Sequence, residues 1–320
     1  MFLTESSYGD KKAYELLKES RRGYESIEVF FRNLKKPDER YFYSLCISHY
    51  TPIEVLERWV EEKPESADAF LCYGARLLQL SWQTRGYGSA QAVTEAGNWD
   101  NFHELLKITE SVLLRCAELN LEDPTPWCYL IMVATWSPAS EEDEANINLK
   151  HNIFQEVIER DPGNWIAHVH MVIALSEKWG CSHDQMFDFT FSVVGKAPEA
   201  SDLQALIVKA DIEYWKWCSG FGDDEEGAEE FVQNEDVQAN VLMAYESSLL
   251  HPYYKENHYT KFIRYNMSGW FWIVKDIENL RHELHILGDG MDDTYWRWVG
   301  VEGDLRRARK LSLLDLMRNT

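Results

Sequence analysis

Apolar residues recur along most of this chain at spacings of three and four, the period of a helix with one buried side. In TPIEVLERWVEEKP, Ile53, Val55, Leu56, Trp59 and Val60 form one such stripe. Its start signals are dense. Thr51 suits an N-cap, Pro52 fits the first helical position where no N–H is needed, and Glu54 would close a capping box. No stretch alternates with the period of a strand, so the pattern predicts an all-α chain. A second regularity is a proline that ends one helix, followed by an aromatic-rich helix. It occurs in EKPESADAFLCYG, LEDPTPWCYLIMVA, ERDPGNWIAHVHMV, GKAPEASDLQALIV and LHPYYKENHYTKFI, at Pro64, Pro124, Pro162, Pro198 and Pro252. The middle spacings suit one helix–turn–helix unit each. The longer ones hold additions at 85–98 and at 219–230, the latter an acidic stretch expected to be a solvated, mobile loop.

At these junctions the chain resembles a tetratricopeptide-like repeat. Phe70, Tyr73 and Gly74 stand where that family places its W-x-x-L-G signature, and Ala134 and Val172 take the small position in the next two units. WQTRG (82–86), KWGCSHDQMFDF (178–189) and DIEYW (211–215) add a narrower resemblance, over roughly residues 55–220, to uncharacterised bacterial TPR-like proteins with W-x-x-R-G and K-W-G-x-S motifs. Cys181 replaces that family's usual glycine, and Asp211 its histidine. The resemblance implies a right-handed solenoid of antiparallel helix pairs and brings no known activity with it. The expected organisation is a helical cap over 1–50, repeats over 51–252 and a second helical cap over 253–320. That last cap ends in an amphipathic segment whose Leu305, Leu311, Leu313 and Leu314 cover the end of the stack.

EKWGCSHDQMFDF, Glu177 to Phe189, sets Cys181, Ser182, His183 and Asp184 side by side. A Cys–His nucleophile is one reading. However, Cys181 and His183 diverge at a helix start, and no third group orients them. The spacing favours punctuation: Gly180 as a left-handed C-cap of a helix running to Trp179, Ser182 and Gln185 as a capping box, Cys181 and Met186 as a staple, and Asp184 on the helix dipole. Only His183 has no structural role in this reading.

Charge narrows the partner. The formal net charge is −22, and residues 51–300 carry 18 Lys and Arg against 43 Asp and Glu. Such a surface repels nucleic acid and attracts a basic protein or peptide. No apolar run is long enough to span a membrane, and no secretory signal is visible. Six scattered cysteines without C-x-x-C read as reduced, buried thiols of a cytoplasmic protein.

The Trp-x-Trp pairs 215/217, 270/272 and 296/298 point to helices sandwiched between neighbours, or to one ring of a pair lining a groove. Arg85 reads as a helix-end cation or as a buried partner of Glu213. His282 and His285 are three apart, not the four of a zinc-protease helix. There is no phosphate loop, dinucleotide fingerprint or nucleophile elbow. The sequence thus predicts a protein-binding module and not an enzyme, with no metal or cofactor. Its inner aromatic and acidic surface would carry Trp82, Arg85, His170, Trp179, Glu213 and Trp217, in the manner of an immunity or regulatory protein that neutralises a basic toxin. The rival readings are an enzyme in which His170, Glu177 and Glu213 converge, and a small-molecule sensor built on a tryptophan cage.

Overall fold

The computed structural model describes residues 7–86, 90–138, 143–288, 296, 299–301 and 303–318. Among them every regular element is helical and none is a strand. The contacts divide the chain into two compact units, Met1–Ala167 and His168–Thr320.

The first unit holds α1 (Lys11–Ser20), α2 (Glu25–Arg32), α3 (Pro37–Tyr50), α4 (Ile53–Glu62), α5 (Ala67–Arg85), α6 (Ala90–Ala96), α7 (Trp99–Leu119), α8 (Thr125–Trp136) and α9 (Asp143–Arg160). α10 (Trp165–Ala174) begins in it. Each long helix packs on those near it in sequence: α5 on α3, α4 and α7, α7 on α8, and α8 on α9. α5 starts at the Ser66 cap, whose Oγ accepts the Ala69 N–H at 3.3 Å. It stops at Gly86, where φ is +83° and the N–H still reaches the Trp82 carbonyl. Gly74 lets α7 come close: a Cβ there would stand 2.6 Å from Leu113 Cδ2. This is the contact that demands a small residue at position 74. Leu56 and Trp59 of α4 are fully buried, as the stripe implied.

The capping box at Thr51 does not form. Thr51 instead ends α3, its N–H on the Ile47 carbonyl, and its buried hydroxyl donates to Ser20 Oγ at 3.0 Å. α4 starts one residue later than the box requires, after Pro52, without a side-chain cap.

The second unit continues with α11 (His183–Val194), α12 (Leu206–Lys216), α13 (Glu225–Gln233), α14 (Glu235–Ser247), α15 (Thr260–Ile273), α16 (Ile277–Leu287) and α17 (Leu305–Arg318). Its centre is α12, which packs on α11, α13, α14 and α15. Leu206 to Glu213, eight consecutive residues, are therefore all buried. Because α15 shares this core, contacts do not separate residues 253–320 from the elements before them. Likewise α3 packs on α5. The division between the two units falls inside α10.

The acidic stretch 219–230 is not a mobile loop. Its second half, 225–230, begins α13, capped by Asp224 through the Gly227 N–H at 2.9 Å, with Ala228 and Val232 of that helix buried beneath a glutamate face. Trp270 and Trp272 are both buried, as a sandwiched helix requires, and so is Trp296. Trp298, Leu313 and Leu314 lie outside the residues whose side chains are described. Glu283 faces the core, bonded to Arg264 and Tyr245, while His282 and His285 face solvent. That splits the H-E-x-H run across two faces of α16. Five of the six cysteines are buried, Cys181 is half-buried, and all six are free thiols.

Candidate functional site

The corner between α10 and α11 is built as the spacing implied, with one change. α10 ends at Ala174, and a separate 3-10 turn, Glu177–Trp179, precedes Gly180 in its left-handed conformation (φ +82°). Ser182 and Gln185 form the complete capping box: Gln185 N–H donates to Ser182 Oγ at 3.2 Å, and Ser182 N–H to Gln185 Oε1 at 3.0 Å. Cys181 donates to the Ala174 carbonyl across the turn. His183 does have a role. Its Nδ1 meets Glu177 Oε2 at 2.9 Å across the turn, and its ring stands edge-on to Tyr214 (4.8 Å) and Trp217 (5.7 Å). Burial lowers its pKa against the pull of Glu177 and Asp184, so the ring is neutral near pH 7.

The same corner brings a carboxylate and three ammonium groups together. Glu213, buried in α12, takes Lys178 on Oε2 and Lys209 on Oε1 at 2.6 Å, with Lys216 at 3.6 Å from Oε1. Burial alone would raise the Glu213 pKa. The fields of Lys209, Lys216 and Lys178 outweigh it and hold the group well below the ordinary carboxylate range. Lys216 moves the other way, to about 8. Burial is the main cause, Lys209 and Lys178 push in the same direction, and Glu213 opposes them. Glu213 is thus held by three lysines of its own unit, where a pairing with Arg85 was one of the two readings of that arginine from the sequence.

Asp211 lies two positions away on α12, 3% exposed, and its Oδ2 has no hydrogen-bond partner among the described residues. Burial raises its pKa well above the ordinary range. A raised folded-state pKa gives stability that is complete below the unfolded value and is lost as pH rises through the folded one. Asp211→Asn, which cannot ionise, is therefore expected to be more stable than the natural chain at pH 8 and not at pH 4. Urea unfolding at the two pH values checks the reversal.

In the first unit the half-buried indoles of Trp82, Trp99 and Trp136 cluster around Phe102. Trp82 meets Trp136 at 4.7 Å and Phe102 at 5.8 Å, both edge-on. The Arg85 guanidinium lies between two of these rings, 4.9 Å from the Trp82 centroid and 5.1 Å from that of Trp99, and Nη1 donates to the Gly86 carbonyl. Burial lowers the Arg85 pKa, and the electron-rich indole faces favour its charge. Trp99, Phe102 and Trp136 were not read as site residues. Their distances in sequence from Arg85 gave no signal, because only the packing of α5, α7 and α8 gathers them.

Of the residues expected to bind a partner, Trp82 and Arg85 thus touch each other in the first unit. In the second, the turn bearing Trp179 packs on the one bearing Trp217, and both adjoin the Glu213 cluster. His170 is buried in α10, and Glu177 meets His183. Among the described residues no group of three or more His, Cys, Asp or Glu side chains is arranged to hold a metal ion, and no helix is long and apolar enough to cross a membrane. The chain matches no protein-family model, no curated protein and no solved structure.

Proposed function

We propose that this chain is a protein-binding scaffold of antiparallel helix pairs, a right-handed TPR-like solenoid in its middle with helical caps, whose partner is a protein or peptide of basic surface. One observation carries the reading. From residue 217 to 254 there is no Lys or Arg and there are nine Asp and Glu, seven of them on α13 and α14 beside exposed apolar groups. Glu225, Glu226, Glu229 and Glu230 are exposed on α13. Leu242 and Met243 are 39% and 56% exposed on α14, between Glu235 and Asp236 at one end and Glu246 at the other. An apolar strip rimmed by one sign of charge suits a partner with the opposite rim.

The aromatic groups add anchors of the kind that dominate binding energy. Trp82, Arg85, Trp179 and Trp217 are of the residue types enriched at such positions. His170 and Glu213 are themselves buried and present no surface of their own. A regulator that neutralises a basic protein would draw its fast encounter from the acids and its slow release from the rings.

The test is capture of partners from a lysate by the natural chain and by a variant carrying Glu225→Gln, Glu226→Gln, Glu229→Gln, Glu230→Gln and Met243→Ser. Basic proteins held at 50 mM salt (roughly a 14 Å screening length) are expected to be lost from the variant and also at high salt. An unchanged set of captured proteins would rule the reading out.

A further inference from the structure

A basic surface that suits the α13–α14 face occurs on this chain itself. α17 opens with Arg306, Arg307, Arg309 and Lys310, and it carries no acid before Asp315. We propose that α17 of one copy docks on the α13–α14 face of a second copy of this chain, an inference that rests on reading that face as a binding surface and names its occupant.

α17 uses only one of its sides within its own unit. It packs on α16, Leu305 and Ala308 are buried, and Arg309 turns back to donate to the Gly288 carbonyl at 2.6 Å. Arg306, Arg307, Lys310 and Leu311 face solvent, with Leu311 39% exposed. At about 100° per residue, Arg306 and Lys310 line one edge of this outward side, Leu311 lines the other, and Arg307 lies between them.

The receiving face matches it in sign, spacing and length. Glu225, Glu226, Glu229 and Glu230 are exposed on α13, and α13 packs on α14. These glutamates follow the same steps along their helix as Arg306, Arg307, Lys310 and Leu311 do along α17, so a row of carboxylates can meet a row of cations. Leu242 and Met243, exposed on α14, offer Leu311 an apolar seat. α14 and α17 are 13 and 14 residues long. Each therefore runs roughly 20 Å, and the two can lie side by side along their whole length.

α1, which also displays lysines, does not fit. Its exposed Lys11, Lys12 and Lys18 share the surface with Glu15 and Glu19, Lys18 is paired with Glu15 at 3.1 Å, and no apolar residue of α1 is exposed. The net charge of −22 works against self-contact at long range. That repulsion fades near 0.1 M salt, where charges more than about 10 Å apart are largely screened, while opposed charges in contact still attract. Association is therefore strongest at intermediate ionic strength.

Sedimentation velocity of the whole chain tests this. At about 0.1 M salt the average mass is expected to rise above that of one chain as concentration increases, and at about 1 M the dissociation constant should be at least tenfold larger. Two variants reverse the charges: Arg306→Glu with Arg307→Glu and Lys310→Glu, and Glu225→Lys with Glu226→Lys, Glu229→Lys and Glu230→Lys. Each alone should stay a single chain, because its two surfaces then carry the same sign. An equal mixture should associate, because each variant offers the sign that the other lacks, and this also shows that both are folded. A natural chain that stays single at every concentration, a variant that self-associates as the natural chain does, or a mixture that fails to associate would overturn the self-contact. Capture of basic proteins by the α13–α14 face is decided separately, so failure of the self-contact alone leaves that reading standing.

Discussion

Replacing Glu213 with glutamine is expected to lower the stability of the chain by about 3–5 kcal/mol at pH 7, the cost of breaking a buried ion pair by removing one partner. The amide keeps the shape of the carboxylate and loses its charge. Lys178, Lys209 and Lys216 then face one another with no counter-charge from α12. The pH dependence distinguishes this from loss of packing. Glu213 has a depressed folded-state pKa, so its contribution is complete above the unfolded value of 4.5 and is lost as pH falls through the folded one. The gap between the natural chain and Glu213→Gln should therefore be flat from pH 5 to 7 and narrow below about pH 4.5. It should narrow again as pH rises from 7 toward 8, because Lys216, without Glu213 to raise its pKa, sheds its proton below the natural chain's value of about 8 and the repulsion falls. Adding Lys209→Met to Glu213→Gln should recover part of the loss, because it removes the most deeply buried of the orphaned charges. Urea denaturation across pH 3–10 measures all three, and a gap below about 1 kcal/mol at pH 7 would show that the cluster does not hold the second unit together.

Which residues carried such weight was only partly legible in the sequence, and the reason is distance along the chain. The Ser182–Gln185 box was readable because its two hydrogen bonds join positions three apart, and any chain with those residues there can make them. Gly74 was readable as a small position, though not that Leu113 fills its place. Thr51 and Pro52 misled because a helix end and a helix start fall within the same three residues. The hydroxyl that could have capped α4 was worth more buried against Ser20. The acidic stretch misled because its charge masked Ala228 and Val232, four apart, which give α13 a side to bury. His183 was left without a role because its partner Glu177 lies before the glycine corner, and only the turn brings them face to face. Nothing local marked α12 as the central helix. Eight consecutive buried residues that include Lys209, Asp211 and Glu213 look like a wet helix until its neighbours are known.

Arg40 is the counterpart of Glu213 in the first unit, and Arg40→Met is expected to cost about 3–5 kcal/mol. Its Nε donates to Asp123 Oδ2 at 2.8 Å and its Nη2 to Asp68 Oδ1 at 2.7 Å. Those three residues lie on α3, in the first turn of α5 and just before α8, so one guanidinium ties three parts of the first unit. Asp123 is committed on its other oxygen as well, accepting from the Thr125 N–H at 2.9 Å and hydroxyl at 2.6 Å, which fixes where α8 begins. Burial works against the Arg40 charge, but Asp123 and Asp68 outweigh it and raise the pKa further, so the group stays cationic throughout. It sits at the wall of a surface cavity of about 550 Å³ that both aspartates also line, yet Asp123 is almost wholly enclosed. Methionine fills much of the volume and leaves Asp123 charged in that enclosed place. Lysine preserves the charge but cannot reach both carboxylates with a planar fork, and should cost roughly 2 kcal/mol. The decisive comparison is Arg40→Met with Asp123→Asn, which removes the stranded charge while an amide oxygen still accepts from Thr125. If that pair is clearly more stable than Arg40→Met alone, the arginine acts by neutralising Asp123. If the pair is no better, or if Arg40→Met lies within about 1 kcal/mol of the natural chain, the three-helix tie is a contact of packing and not of charge.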